Sequence, residues 1–114
     1  MHIVYTTKVT TAPLPSIGRE FVVLKFDPWG GDPVFEWDEH NQEKFWRHGI
    51  LDFEVEECFQ NPYCLRPHRK AKSDPEVYGD RYVVLGVTDG GRNLLIVVQF
   101  KGGNVVRPIT GWEN

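Results

Sequence analysis

Apolar and polar residues alternate from His2 to Thr10, with Ile3, Tyr5, Thr7 and Val9 on one side, a period of two that predicts a half-buried strand. The Pro-rich passage Ala12–Gly18 excludes a helix or a central strand, and Phe21–Phe26 then predicts a second strand. Together they read as a long-looped hairpin, closed by the turn residues of Asp27–Pro33. Val34–Trp37 is a short extended piece leading into Asp38, a good N-cap whose carboxylate can accept from the first free amides of a helix. That helix is expected to run to about His48 and to stop at Gly49. Asp52 is expected to cap a second helix with Val55, Cys58 and Phe59 on one face, ended by Asn61-Pro62. Three strands follow, Arg81–Val87, Asn93–Phe100 and Asn104–Ile109, joined by the tight turns Asp89-Gly90-Gly91 and Lys101-Gly102-Gly103. Leu94–Val98 is apolar on both faces and predicts a central strand covered on both sides, while Pro108 suggests an edge or a strand terminus. The pattern gives an α+β fold, two short helices packed on an antiparallel sheet, with an extra N-terminal β-hairpin.

At 114 residues the chain has the length of one domain. We divide it into a hairpin extension, 1–33, packed on the same domain as an α+β core, 34–114. A composition of 40% hydrophobic and 25% charged residues, with 13% aromatics, excludes fibrous and wholly disordered classes. The longest aliphatic run, Leu94–Val98, is far short of the roughly 20 residues of a membrane-spanning helix. The first residues lack the basic start and apolar stretch of a secretory signal, so a cytoplasmic protein without membrane association is expected. Cys58 and Cys64 do not have the C-x2-C spacing of zinc or redox sites, and neither a metal nor a cofactor is expected.

The net charge of −3 gives no global basic bias, but the charges are segregated. Glu36, Asp38, Glu39, Glu43, Asp52, Glu54, Glu56 and Glu57 face only Lys44 and Arg47 within 36–57. Residues 66–72 hold Arg66, His68, Arg69, Lys70 and Lys72 with no acid, which suggests a mobile anion-binding arm, or else a solvated loop that binds nothing specific. His48, after Arg47 at a helix C-terminus, is favoured as imidazolium there, to hold a phosphate, to move a proton, or merely to satisfy the last carbonyls. Arg81 and Arg107 on strands could bind phosphate bidentately or pair with the acidic helices; Arg92, in a turn, reads as solvated. Trp29, Trp37, Trp46 and Trp112 are candidates for base stacking, although core positions are expected for most.

Taken in order, these residues resemble a known family. Phe35-Glu36-Trp37-Asp38, Asn41, Arg47-His48-Gly49-Ile50, Phe53-Glu54 and Phe59-Gln60-Asn61-Pro62 resemble the first half of the BrnT toxins. Tyr78–Gly86, Leu94–Phe100 and Val106-Arg107-Pro108-Ile109-Thr110 resemble its remaining strands, so the likeness covers about 34–112. It implies a RelE-like fold and a metal-independent endoribonuclease toxin of a type II toxin–antitoxin system, neutralised by a ribbon-helix-helix antitoxin of the BrnA kind. In that family the basic residue and the histidine of a Lys-His-Gly motif matter for toxicity, as do strand arginines; the resemblance therefore implies Arg47, His48, Arg81 and Arg107 as catalytic residues. The basic segment, Arg66, Arg69, Lys70 and Lys72, is the expected RNA contact. The alternative is a RelE-like fold without catalysis, serving as a protein- or nucleic-acid-binding module.

Overall fold

The computed structural model describes residues 28–30 and 32–114. The strands expected at 2–10 and 21–26, and so the N-terminal hairpin, lie outside the described residues. The described chain runs β1 (Val34–Phe35), α1 (Glu39–Arg47), α2 (Asp52–Gln60), β2 (Cys64–Pro67), α3 (Pro75–Tyr78), β3 (Arg81–Val87), β4 (Asn93–Phe100) and β5 (Val105–Glu113). One five-stranded sheet orders these strands β1-β5-β4-β3-β2. The class is α+β.

Local chemistry explains both helices. Asp38 caps α1 by accepting from the Asn41 N–H at 3.0 Å, and the Asn41 carboxamide oxygen accepts from the Asp38 N–H at 2.8 Å. Gly49, at φ 74, reverses the chain after Arg47, and the amide of Ile50 closes back on the Phe45 carbonyl at 2.9 Å. The second cap differs from the expected one. Leu51 is the N-cap and Asp52 is already the first helical residue; Glu54 Oε1 accepts from the Leu51 N–H at 3.0 Å, so the third helical residue satisfies the cap amide.

Helices α1 and α2 lie on one sheet face, against Leu65, Val84, Leu94, Ile96, Val98 and Val106. Each helix sits over a glycine. A Cβ at Gly111 would meet Phe45 Cε1 at 2.8 Å and the Leu95 carbonyl oxygen at 2.7 Å, and one at Gly86 would meet Cys58 Cβ at 2.6 Å. The missing side chains are what let helix and sheet approach this closely. Trp29, 1% exposed, joins the core from the N-terminal side, edge-on to Tyr82 and Phe100, and donates from Nε1 to the Tyr63 hydroxyl at 3.2 Å.

Asn41 is the main buried polar residue of the helical layer, at 1% exposure. Its Nδ2 donates to the Glu36 and Pro108 carbonyls at 3.0 and 2.9 Å, so one carboxamide ties α1 to the exit of β1 and the middle of β5.

Several expectations need correction. The sheet is mixed, because β1 pairs parallel with β5. A third, single-turn helix (α3) and a short strand (β2) occupy a stretch expected to be loop. The last strand runs to Glu113, not Ile109, and Pro108 sits within it at an irregularity opposite Val98, where a strand without a free N–H is tolerated. By contrast β4 is the central strand, as expected, with Leu94, Ile96 and Val98 buried on the helical face and Leu95 and Val97 half-buried on the other. Trp29 is core and Trp37 packs partly against it, but Trp46 (53%) and Trp112 (42%) are exposed. Among the described residues no helix is long and apolar enough to cross a membrane.

Asn41→Leu should lower unfolding free energy by about 2–3 kcal/mol, read from the denaturant midpoint, because two carbonyls and the Asp38 amide lose their partner in a buried site. Gly86→Ala should cost about 1–3 kcal/mol by pushing α2 off the sheet, with little change in helical circular dichroism.

Candidate functional site

Strand alternation places Arg81, Gln99 and Arg107 on the sheet face away from α1 and α2, since their neighbours Tyr82, Val98 and Val106 face the core. Register makes them a row: Arg81 stands opposite Gln99, and Gln99 opposite Arg107. The row continues outward on both sides. His68 extends the β2 ladder, its N–H donating to the Arg81 carbonyl at 2.9 Å, and Glu36 follows β1, its N–H donating to the Val106 carbonyl at 2.9 Å. A line of polar side chains, His68-Arg81-Gln99-Arg107-Glu36, thus crosses all five strands, spanning about 19 Å at the usual inter-strand spacing.

The two ends of the row differ in charge. At the β1 end, Arg107 is held by carboxylates, Asp38 Oδ2 at 3.0 Å and Glu36 Oε1 at 3.4 Å. Lys101 adds a contact to Glu36 at 3.2 Å. The Arg107 guanidinium holds the Asp38 carboxyl below its ordinary value, helped by the Asn41 amide. In the middle, Gln99 Nε2 donates to Asp80 Oδ2 at 2.8 Å.

At the β2 end cations gather around Tyr78. The His68 ring stacks on it at 4.7 Å and 19°, Lys70 Nζ lies 5.3 Å from its centroid and the Arg81 guanidinium 5.9 Å. Arg66, on β2 opposite Val83, shares the face of Arg81. Arg81 Nε is buried and makes no hydrogen bond among the described residues; Asp80 Oδ1 lies 3.9 Å away. The Lys70 N–H donates to His68 Nδ1 at 3.1 Å, which leaves the ring proton on Nε2. Burial pushes the His68 imidazole below its ordinary value, and Arg69, Lys70, Arg81 and Arg66 push it the same way. His68 is therefore a neutral N–H donor at neutral pH.

The structure sorts the expected site residues into separate places. Arg81 and Arg107 share the row, with Gln99 between them. Arg66 adjoins it on β2 and Lys70 lies over Tyr78, whereas Arg69 and Lys72 are exposed in the turn after β2. His48 lies at the other end of the strands, its ring 6.0 Å from that of Trp112, which stands opposite Leu95. Leu95 is four residues from Gln99, about 13 Å along the strand. Arg47 is exposed and paired with Glu43 at 3.1 Å. Arg92 is not simply solvated: its Nη1 donates to Glu54 at 2.8 and 2.9 Å and to the Gly49 carbonyl at 3.1 Å, and Nη2 to Glu113 at 3.3 Å. That guanidinium ties the α1–α2 turn to the end of the β4–β5 ladder where β4 starts and β5 finishes.

No protein-family model matches the chain, and neither does any curated protein.

Tyr78, Gln99 and His68 as a member of the row were missed from sequence. Alternation along β4 could have placed Gln99, but nothing local announces that Tyr78 reaches His68. Cysteine chemistry is disfavoured. Burial, with Glu57, Glu54 and Asp89 nearby, pushes the Cys58 thiol up to about 12, and burial also raises Cys64. Among the described residues no group of His, Cys, Asp and Glu could hold a metal ion.

Two outcomes follow. Alkylation of Cys58 at pH 8 should be slow in the folded protein and should follow unfolding when denaturant is added. Because the folded Asp38 pKa is depressed, its pairing stabilises the fold above the ordinary carboxyl value and is lost as pH falls through the lowered one. Stability of Asp38→Asn should accordingly vary less with pH below about pH 4 than that of the parent chain.

Proposed function

We propose that this chain acts on RNA, as a metal-independent endoribonuclease of the toxin kind that its resemblance to BrnT implies, and that the polar row of the sheet is the RNA-contacting face. One observation carries this reading: Arg81 lies in a strand-borne row, next to the cations around Tyr78, with a buried Nε that has no hydrogen-bond partner among the described residues. A strand holds a guanidinium more rigidly than a loop does, which suits bidentate contact with a phosphodiester. RNA carries its own nucleophile, the 2′-hydroxyl, so the protein has only to orient the phosphate, move protons and stabilise the extra negative charge at phosphorus. Arg81 suits the last task. Arg107, neutralised by Asp38 and Glu36, contributes less until those pairs open. A ribbon-helix-helix antitoxin is the partner that this reading entails.

A second reading, RNA binding without cleavage, is favoured by the position of His48, whose ring neighbours Trp112 opposite Leu95, a strand position about 13 Å from Gln99 of the row. Induced expression with RNA integrity followed over time separates the two. Degradation is expected with the parent chain and should slow about tenfold or more in Arg81→Ala. His48→Ala locates the proton-transfer group: lost cleavage puts it at the end of α1, and retained cleavage puts it in the row. Intact RNA under the parent chain, with purified protein still binding RNA, would leave the second reading standing.

A further inference from the structure

The corner where β2, α3 and the start of β3 meet gathers cations around one imidazole. Arg66, Arg69, Lys70 and Arg81 all act on the His68 ring, and the carboxylate beside Arg81 is Asp80, at 3.9 Å and already accepting from Gln99. Folding brings these cations together against their repulsion. Three donor groups stand here for a ligand: the Nε2–H of His68, the Arg81 guanidinium, whose side chain is 26% exposed, and the Lys70 ammonium. The Tyr78 ring is the common neighbour of all three, at 4.7 Å from the His68 ring, 5.3 Å from Lys70 Nζ and 5.9 Å from the Arg81 guanidinium.

We propose that His68, Lys70 and Arg81, arrayed around Tyr78, form a binding site for a dianionic phosphoryl group, such as a terminal phosphate of a nucleic acid strand or free phosphate. Charge selects the dianion. A phosphodiester carries a single charge and leaves more of the mutual repulsion in place, whereas a monoester carries up to two and offers three acceptor oxygens to three donors. The site deepens the RNA reading by assigning it a strand end, and it rests on that reading only for the source of the phosphate.

The charges facing His68 are Arg66 from β2, Arg69 and Lys70 from the following turn, and Arg81 from β3, with Tyr78 of α3 packed on the ring. A bound dianion opposes their repulsion, so occupancy must raise the His68 pKa, and by linkage protonation must tighten anion binding. Sulfate is a suitable probe, being dianionic throughout the range in which His68 titrates.

The His68 ring protons are followed by NMR through a pH titration, in sodium sulfate and in sodium chloride of equal ionic strength. The expected result is a titration below the ordinary imidazole value in chloride, a clear rise in sulfate, and loss of that rise in Arg81→Gln. Sulfate affinity should climb as pH falls through the bound-state pKa, level off below the free-state pKa, and become independent of pH in His68→Asn. Equal His68 titration in the two salts, or a sulfate-induced rise that survives Arg81→Gln, overturns the site. Source is read from single-stranded RNAs of one sequence: stronger binding with a 5′- or 3′-terminal phosphate than with hydroxyl ends assigns the site to strand ends. Equal binding of all three, with sulfate still raising His68, assigns it to free phosphate. RNA degradation on expression without any sulfate effect would remove this site and leave the proposed function intact; a sulfate effect without degradation would do the reverse.

Discussion

The Asn41 side chain donates two hydrogen bonds to backbone carbonyls that the sheet itself cannot satisfy, those of Glu36 and Pro108. Among the described residues β5 has no outer strand to pair with beyond Val105 and Val106, because β1 is only two residues long. A proline in the middle of such a strand, next to a register irregularity, leaves a carbonyl facing the helical layer. Left unpaired there it would cost about 1–3 kcal/mol. Asn41 meets this need from the third position of α1, and the same residue completes the cap with Asp38. Helix position, strand irregularity and the parallel β1 pairing are thereby coupled, and the seat of Phe45 over Gly111 follows from them.

This coupling explains what could be read from sequence and what could not. The two longer helices and three long strands were legible because their signals are local: Asp38 and Gly49 around α1, Asn61-Pro62 after α2, paired glycines at both hairpins. The strand β2 was not, since four residues between Pro62 and the chain beyond Pro67 carry no periodicity of their own; it exists through pairing with β3. The parallel β1 and the continuation of β5 to Glu113 are likewise tertiary outcomes. The Asp52 misassignment is instructive: an acid just before an apolar run suits both N-cap and first turn, and Glu54 reaching back to Leu51 decides between them.

The candidate site was half legible. Arg81 and Arg107 were singled out as strand arginines, and register alone brings them to one row. The basic segment was expected to be a mobile arm, whereas Arg66 is fixed by β2 and His68 by its ladder bond and its stack on Tyr78. What sequence could not supply is sequence-distant proximity: ten residues separate His68 from Tyr78, and no periodicity links them. The same limit hid the role of Arg92, whose partners Glu54 and Glu113 lie 38 and 21 residues away.

The segregation of charge along the chain becomes a gradient along the row. Its β1 end adjoins the acidic helical layer, and there Arg107 is matched by Asp38 and Glu36. Its β2 end is cationic. A polyanion therefore gains most at His68, Lys70 and Arg81, less at Gln99, and least at Arg107, whose recruitment means displacing Asp38. Asp38 divides its two oxygens between duties, Oδ1 accepting from the Asn41 amide and Oδ2 from Arg107. Opening the ion pair leaves the cap in place, but it returns Asp38 toward its ordinary pKa. The row is thus bounded on one side by the residue that caps α1, so a change in that cap reaches the row through Arg107 without touching Arg81.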